Sequence, residues 1–214
     1  MKHIATVPAA LVKAAMLFQA KEDVRYYLKG VFITESKIAA TDGHAMFISP
    51  YESDVRPTSP LIVAFKGKIP AKADQLELLY DEETKVGVVR CVGPTPVKIR
   101  VVNPLLHAAS QSWPDPKPEI IVDKLGHQEM AFFALIDGRM PDIERVMPTG
   151  DLVPTDRIGI DFGYAERVAK ACKELGSKLA HCAINLRGPE TSIEIEIKSP
   201  DYQGAKAIIM PCRL

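Results

Sequence analysis

The sequence of 214 residues has no net charge, because 27 Lys and Arg residues balance 27 Asp and Glu residues. This balance argues against a strongly basic nucleic-acid-binding protein, although basic residues can still gather on one face. No apolar run approaches the ~20 residues that a membrane-spanning helix needs, so no membrane partner is expected. With 47% apolar and 25% charged residues, the composition is typical of a cytoplasmic globular protein of one large or two small domains.

Cysteine is scarce, and no two cysteines form a CxxC motif. Cys91, Cys172, Cys182 and Cys212 lie far apart in the sequence. This spacing is typical of reduced cytosolic thiols that pack as small apolar side chains. A zinc site formed by Cys172, His181 and Cys182 is the alternative, but the paired-ligand spacing of zinc sites is missing. We therefore expect no metal site and no cofactor.

The sequence also lacks the common catalytic motifs GxGxxG, GxSxG and HExxH, and it has no P-loop. Asp42-Gly43-His44 offers a carboxylate and an imidazole that a nuclease could use. The same tripeptide suits a tight turn, in which Gly adopts a positive φ and the Asp side chain accepts hydrogen bonds from the backbone. We favour the turn and expect no catalytic residues, because no second metal-ligand cluster accompanies these side chains.

Two regions, near the two ends of the chain, are both predicted to begin with a strand, a helix and two further strands. In the first, an apolar face that includes Leu11 and Phe18 predicts a helix between strands. In the second, Ile193, Ile195 and Ile197 alternate with charged residues, as in a half-buried strand. The first region is expected to form strand, helix and two strands at residues 3–7, 9–20, 26–34 and 37–49, with a break near residue 42. The second is expected to form strand, helix and three strands at residues 157–161, 162–175, 179–186, 192–198 and 206–213.

The region between them is predicted to be mostly strand, at residues 61–65, 75–80, 85–92, 97–102, 119–123 and 129–136. A helix at residues 71–75 is expected to be a short turn at most, because Pro70 restricts the residue before it. Residues 104–118 contain four prolines and Trp113, which predicts a surface loop or a linker. Together these elements predict an α+β fold built from repeated βαββ(β) units; antiparallel sheets with helices on one side are what the family resemblance described below implies.

The helix predicted at residues 162–175 has a basic side. Arg167, Lys170, Lys173 and the nearby Lys178 are the residues concerned. One interpretation is a surface that follows the phosphate backbone of double-stranded DNA without reading the bases. The alternative is an ordinary solvated helix face, since acidic residues at positions 166 and 174 dilute the positive charge.

Three segments that lie far apart in the sequence are unusual in combination. They are Tyr26-Tyr27-Leu28-Lys29-Gly30 followed by Ala40-Thr41-Asp42-Gly43-His44, then Asp137-Gly138-Arg139-Met140-Pro141-Asp142 with Val146-Met147-Pro148, and finally Ile209-Met210-Pro211-Cys212-Arg213-Leu214. In this order they resemble the bacterial DNA sliding clamp family, the DNA polymerase III beta subunit. The first two resemble the start and the end of that family's middle domain, and the third resembles its C-terminus.

The resemblance implies a non-enzymatic DNA replication protein, in which these segments form a groove for short peptides of polymerases and clamp loaders. It places the following residues at the groove: Leu28, Thr41, Gly43, His44, Met46, Pro141, Arg145, Val146, Ile208, Ile209, Met210, Pro211 and Arg213. Apolar members such as Leu28 and Met210 would take a Leu or Phe anchor, and His44, Arg145 and Arg213 would orient polar atoms of the peptide. A competing interpretation is that these residues pack a domain junction.

The resemblance also divides the chain. Residues 1–148 resemble the middle domain with an insertion at about 93–128, and residues 149–214 resemble the second half of the last domain. The middle domain's second helix is expected to be shortened at 68–74, and Ala45 stands where the family often has Arg.

This division into domain equivalents leads to an expectation about how many copies of the chain form a ring. A chain of about two domain equivalents needs three copies to match the six domains of a clamp ring. A homotrimer that encircles double-stranded DNA without sequence preference is therefore favoured, whereas a chain of a domain and a half would need four copies. The alternative function is a non-ring adaptor or inhibitor that uses the same groove to recruit or sequester polymerase.

Overall fold

The computed structural model describes residues 1–93, 97–99, 120–122 and 130–213. The elements up to residue 93 are β1 (Lys2–Pro8), α1 (Ala9–Met16), a 3₁₀ turn (Tyr26–Lys29), β2 (Val31–Ile33), β3 (Lys37–Thr41), β4 (Ala45–Pro50), β5 (Leu61–Lys66), β6 (Gln75–Asp81) and β7 (Val86–Val92). The later elements are β8 (Val97–Ile99), β9 (Ile120–Val122), β10 (Met130–Leu135), α2 (Ile143–Val146), α3 (Phe162–Glu174), β11 (Cys182–Asn185), β12 (Ile193–Ile197) and β13 (Lys206–Ile209). The loop expected at 104–118 and most of the insertion expected at 93–128 lie outside the described residues.

Eleven strands form one antiparallel sheet in the order β1-β6-β7-β10-β5-β2-β3-β4-β13-β12-β11, and β8 pairs with β9 separately. The predicted α+β class with antiparallel strands is confirmed. The helix α1 follows β1 and the helix α3 precedes β11, in keeping with the predicted strand–helix–strand order. Residues 67–74 contain a turn but no helix, in agreement with the short turn expected at 71–75.

The two faces of the sheet carry separate apolar cores. Because side chains alternate along a strand, Ala207 and Ile209 of β13 enter one core and Ile208 enters the other. The larger core, which we call the helix-side core, contains the apolar faces of α1 and α3. The smaller core, which we call the outer core, contains Leu28 of the 3₁₀ turn and Ile143 of α2. The helices longer than one turn thus lie on one side of the sheet, as predicted, and the short α2 lies on the other.

β13 adds to the edge of β4, and this pairing joins the two regions that the sequence assigned to different domains. Ile208 is opposite Met46 and Ile209 is opposite Ala45 in an antiparallel register. On the helix side, α1 packs against α3 within one continuous core. The boundary at residue 148 stays a prediction, although sheet and core both continue across the two regions.

Three predicted elements differ from the structure. Residues 26–29 turn as a 3₁₀ helix instead of a strand, where the Tyr26 hydroxyl donates to the Asp137 carbonyl at 2.8 Å. Residues 157–161 contribute only an isolated bridge between Gly159 and Cys212. The last strand ends at residue 209, because Pro211 has no N–H for a continuing ladder. In the described part of the chain, no helix is long and apolar enough to cross a bilayer.

Candidate functional site

A shallow depression with an enclosed volume of only about 10 Å³ lies where β4, β13 and the end of α2 meet. Its lining residues are Thr41, Gly43, His44, Ala45, Met46, Val146, Ile208 and Met210. All of them except Ala45 belong to the set that the sequence assigned to a peptide groove. Segments separated by about 100 and 60 residues are therefore brought to one place on the surface, which we call the groove.

The floor of the groove is formed by two paired strands. Met46 of β4 and Ile208 of β13 are directly opposite each other, and they are only 3% and 2% exposed. Both side chains belong to the outer core, together with Leu28 and Ile143. Because ladder hydrogen bonds and core packing act on the same residues, the floor is rigid.

The turn at residues 41–45 forms one wall. The Asp42 Oδ1 atom accepts hydrogen bonds from the amides of His44 and Ala45, both at 2.9 Å. The Thr41 hydroxyl accepts from the Gly43 amide at 2.9 Å and donates to the Ala45 carbonyl at 2.8 Å. Gly43 has a φ of +93°, a region that glycine adopts at little cost. The turn interpretation of Asp42-Gly43-His44 is confirmed.

The charge state of the Asp42 carboxylate is fixed by these contacts. Burial alone raises the pKa of Asp42, but hydrogen bonds from the Ala45 and His44 amides and from Arg167 outweigh burial and hold the pKa below its usual range. The carboxylate is therefore ionised at neutral pH. Since its lone pairs already bind the backbone and Arg167, it has a structural role.

The opposite wall comes from α2 and the residue after β13. Asp142 caps α2 by accepting a hydrogen bond from the Arg145 amide at 3.2 Å. Glu144 forms an exposed ion pair with Lys37 of β3, and Ile143 of α2 is buried in the outer core. At the groove itself, Val146 is 39% exposed and Met210 is 44% exposed. Two exposed apolar side chains beside a buried apolar floor form a surface that can take an apolar ligand group.

Some of the residues assigned to the groove do not line it. Leu28 is buried in the outer core beneath the floor. Ile209 is buried in the helix-side core, because it points to the opposite face of β13. The remaining four are outside the lining set: Pro141 and Pro211 are half-buried, and Arg145 and Arg213 are exposed.

Two residues near the groove are outside the set that the sequence assigned to it. Ala45 lines it directly. Arg25 lies against the turn, since a Cβ built on Gly43 would be 2.8 Å from an Arg25 guanidinium nitrogen. Asp23 holds that guanidinium with two hydrogen bonds of 3.1 and 2.8 Å. No spacing rule predicts this contact, because the partners come from separate loops.

The basic residues on and after α3 separate into two kinds. Lys173 and Lys178 are exposed, and Lys170 forms an exposed ion pair with Glu166 at 2.8 Å. Arg167 instead donates to the Asp42 Oδ2 atom at 2.6 Å, and its guanidinium carbon lies 4.9 Å from the centre of the Tyr164 ring. The structure thus gives Arg167 an internal partner, which the sequence interpretation as a DNA contact had not included.

The cysteines at the second region lie close together without forming a metal site. The sulfur atoms of Cys172 and Cys182 are 3.5 Å apart. Burial, together with the hydrogen bond to Cys182, raises the pKa of the Cys172 thiol to about 12. Across the described residues, no group of three His, Cys, Asp or Glu side chains is placed to hold a metal ion.

Comparison with known proteins gives a structural likeness alone. No family model and no curated protein matches the sequence. A DNA polymerase III beta sliding clamp from Pseudomonas aeruginosa, solved with griselimycin bound, matches all of this chain with a TM-score of 0.53 and 14% identity, over 67% of its own length. The C. crescentus beta sliding clamp matches all of this chain with a TM-score of 0.55 and 12% identity, over 66% of its own length.

A third solved clamp gives the same result. The DNA polymerase sliding clamp from Bacillus subtilis matches 99% of this chain with a TM-score of 0.56 and 12% identity, over 64% of its own length. The chain therefore spans about two thirds of the length of the clamps that it matches. At this level of identity the likeness concerns the path of the backbone. The chain has the fold of the bacterial DNA sliding clamps, the beta subunits of DNA polymerase III.

Proposed function

We propose that the chain is a non-enzymatic accessory protein of DNA replication, which binds peptide segments of a polymerase or clamp loader in its groove and encircles DNA as a homo-oligomer. The observation that carries the proposal is the convergence of residues 41–46, 146 and 208–210 on one apolar depression, on a chain with the clamp fold. Fold alone does not specify a function, so the groove is the more important of these two features.

The size and chemistry of the groove favour a peptide anchor. Its enclosed volume of about 10 Å³ is far below the roughly 300–1,000 Å³ of pockets that enclose small molecules. An apolar side chain of a peptide would lie against the exposed Val146 and Met210 side chains, and the rest of the peptide would stay on the surface. Two of the lining residues are methionines, Met46 and Met210, and the flexible Met side chain adapts to partners of different shape.

The proposed contacts with DNA are made from the face of the sheet that carries α1 and α3. α1 and α3 lie together there, and α3 leaves Lys170, Lys173 and the following Lys178 exposed. These lysines are suited to contact phosphates of double-stranded DNA without reading bases. A trimer is the favoured assembly, by the count of domain equivalents given above. The Arg167 side chain is excluded from this set because Asp42 holds it.

A peptide titration tests the groove. The probe is a fluorescein-labelled synthetic peptide with adjacent Leu and Phe residues, and its control has Ala at both positions. Replacing Val146 and Met210 together with Ser is expected to weaken binding at least tenfold, since the loss of two apolar contacts exceeds about 1.4 kcal/mol. The matched control is Ile184→Ser, which removes a 60% exposed apolar side chain on β11 and should leave affinity unchanged. Equal affinity of the double variant and the wild type would exclude the groove.

The non-ring adaptor or inhibitor is the second candidate, and it uses the same groove. Native mass spectrometry of the purified protein separates the two, because a ring requires a stable oligomer and an adaptor does not. Retention on a closed circular plasmid, with loss upon linearisation, is the second measurement. Replacing Lys170 and Lys173 with Glu should reduce retention and its dependence on salt. A stable monomer with full peptide affinity would support the adaptor.

A further inference from the structure

The turn that forms one groove wall is held from outside by a residue of the distant helix α3. One oxygen of the Asp42 carboxylate binds the amides of His44 and Ala45, and the other accepts from Arg167 at 2.6 Å. The same carboxylate therefore shapes the turn and connects it to α3. Residues 42 and 167 are 125 positions apart in sequence, so this contact exists only in the folded protein.

Arg167 has little freedom to make another contact. Its side chain is 32% exposed, and the guanidinium lies over the Tyr164 ring on the preceding turn of α3. A charge-assisted hydrogen bond and a cation–π contact thus act on the same group. By contrast, the ion pair of Lys170 with Glu166 is exposed on both sides, and pairs of that kind exchange with solvent at little cost.

The turn is also close to a second guanidinium group. Arg25 packs on Gly43 and is itself fixed by Asp23. The turn is therefore close to two arginine side chains, and of these two Arg167 is the one that donates to the Asp42 carboxylate. A hydrogen bond of 2.9 Å from the Met210 amide to the His44 carbonyl then connects the turn with the strand on the floor.

We propose that Arg167 is a positioning residue of the peptide groove, which through Asp42 holds the wall at residues 41–45 in the shape that binds the peptide. This inference rests on the proposed peptide-binding function. It gives α3 a second role. The lysines on and after α3 are proposed to contact DNA, and Arg167 is proposed to shape the groove, whose floor belongs to the outer core on the opposite face of the sheet. Arg167 touches neither the peptide nor DNA in this role.

The experiment measures affinity for the fluorescein-labelled Leu-Phe peptide by anisotropy in four proteins: wild type, Arg167→Gln, Asp42→Asn and the double variant. Asn keeps an oxygen for the amides of His44 and Ala45 but loses the charge that Arg167 binds. Each single change should weaken binding about tenfold, since a hydrogen bond to a charged group contributes roughly this much. The double variant should be no weaker than either single one, because both remove one interaction. Arg167→Lys keeps the charge and should recover part of the affinity.

A matched control uses another ion pair of the same helix. Glu174 of α3 pairs with Lys13 of α1 at 3.3 Å, away from the turn. Glu174→Gln therefore removes an interhelical ion pair without reaching residues 41–45, and peptide affinity should not change. If Glu174→Gln and Arg167→Gln weaken binding equally, Arg167 acts through general stability and the inference is overturned.

Amide hydrogen exchange provides a readout that does not depend on the peptide. The His44 and Ala45 amides should exchange about tenfold faster in Arg167→Gln and Asp42→Asn than in wild type, as expected for a locally opened turn. Unchanged exchange together with unchanged peptide affinity overturns the inference. If the wild type binds no peptide but exchange is faster in both variants, the hold of Arg167 on the turn is supported and the proposed peptide function fails.

Discussion

The floor and the wall of the groove are built by different interactions, although they lie side by side. The floor consists of paired strands whose side chains are buried in the outer core, and Met46 and Ile208 could not move without disturbing both sheet and core. Residues 41–44 of the wall are exposed or half-buried, and the shape of the wall depends on hydrogen bonds to Thr41 and Asp42. A change in the floor should therefore alter the stability of the whole protein, whereas a change in the wall should alter local order and binding.

The largest effect is expected beside the floor, at the buried carboxylate of Glu194. This residue is opposite Ile208 in the ladder and binds Arg187 at 2.8 Å and Lys206 at 2.6 Å. Glu194→Gln leaves two cations without their anion, which costs about 3–5 kcal/mol for a buried pair. Urea unfolding measures the loss. The control is Glu196→Gln on the same strand, because the exposed ion pair of Glu196 with Lys198 contributes much less to the free energy of unfolding. Equal losses of stability in the two variants would contradict the expected difference between the buried and the exposed ion pairs.

The pH dependence of stability sharpens this prediction. Burial alone raises the pKa of Glu194, but hydrogen bonds from Lys206 and Arg187 outweigh it and hold the pKa below the usual value of 4.5. Because the folded-state pKa is the lower one, the carboxylate stabilises the fold above about pH 4.5 and loses that contribution as the pH falls through the folded-state pKa. The stability difference between wild type and Glu194→Gln should therefore shrink on acidification below pH 4.5. A stability difference between the two proteins that stays constant down to pH 2 would contradict the stabilising role of the ionised Glu194 carboxylate.

The second prediction compares the two faces of β13. Ile208 and Ile209 are adjacent and both fully buried, one in the outer core and one in the helix-side core. Replacing either with Ala should cost about 2–4 kcal/mol in the free energy of unfolding, the usual range for a buried aliphatic side chain. Peptide affinity, measured well below the unfolding midpoint, should fall for Ile208→Ala alone. A loss of affinity in Ile209→Ala of the same size would show that stability and binding are not separable at the floor.

These two isoleucines also show what the sequence could and could not predict. The strand at residues 206–209 and its convergence with residue 46 followed from the apolar pattern and from the resemblance to the clamp family. The period of two implies that only one of Ile208 and Ile209 can face the groove, yet both were assigned to it. Which one faces the groove depends on the register between β4 and β13, and the sequence contains no turn that sets this register, since the strands are about 160 residues apart.

Interactions between distant side chains were predicted less well than local ones. The turn at Asp42-Gly43 could be predicted because its hydrogen bonds join neighbouring residues. The contact of Arg167 with Asp42 could not, since both residues have plausible local roles and nothing in the sequence relates them. One interpretation of the basic residues on and after α3 was a DNA contact surface that included Arg167, but the structure pairs Arg167 with Asp42 and leaves the lysines exposed.

The smallest change in global stability, and the clearest test of the wall, is expected for Gly43→Ala. Gly43 has a φ of +93° and Gly67, in the loop after β5, has a φ of +95°. An Ala side chain is strained at both positions by about 1–2 kcal/mol, so the two variants should unfold at similar urea concentrations. At Gly67 nothing lies within 4 Å of the added Cβ, whereas at Gly43 the Arg25 guanidinium is 2.8 Å away.

Peptide binding should separate the two glycine variants. In Gly43→Ala the added Cβ displaces the Arg25 guanidinium and the positive φ strains the turn, so the wall should change shape and affinity for the Leu-Phe peptide should fall about tenfold. In Gly67→Ala the same backbone strain arises outside the groove, and affinity should equal that of the wild type. The two variants have similar backbone strain at different positions. A loss of binding in both would therefore mean that peptide affinity depends on overall stability. A loss in Gly43→Ala alone would assign the binding surface to the wall as well as to the floor.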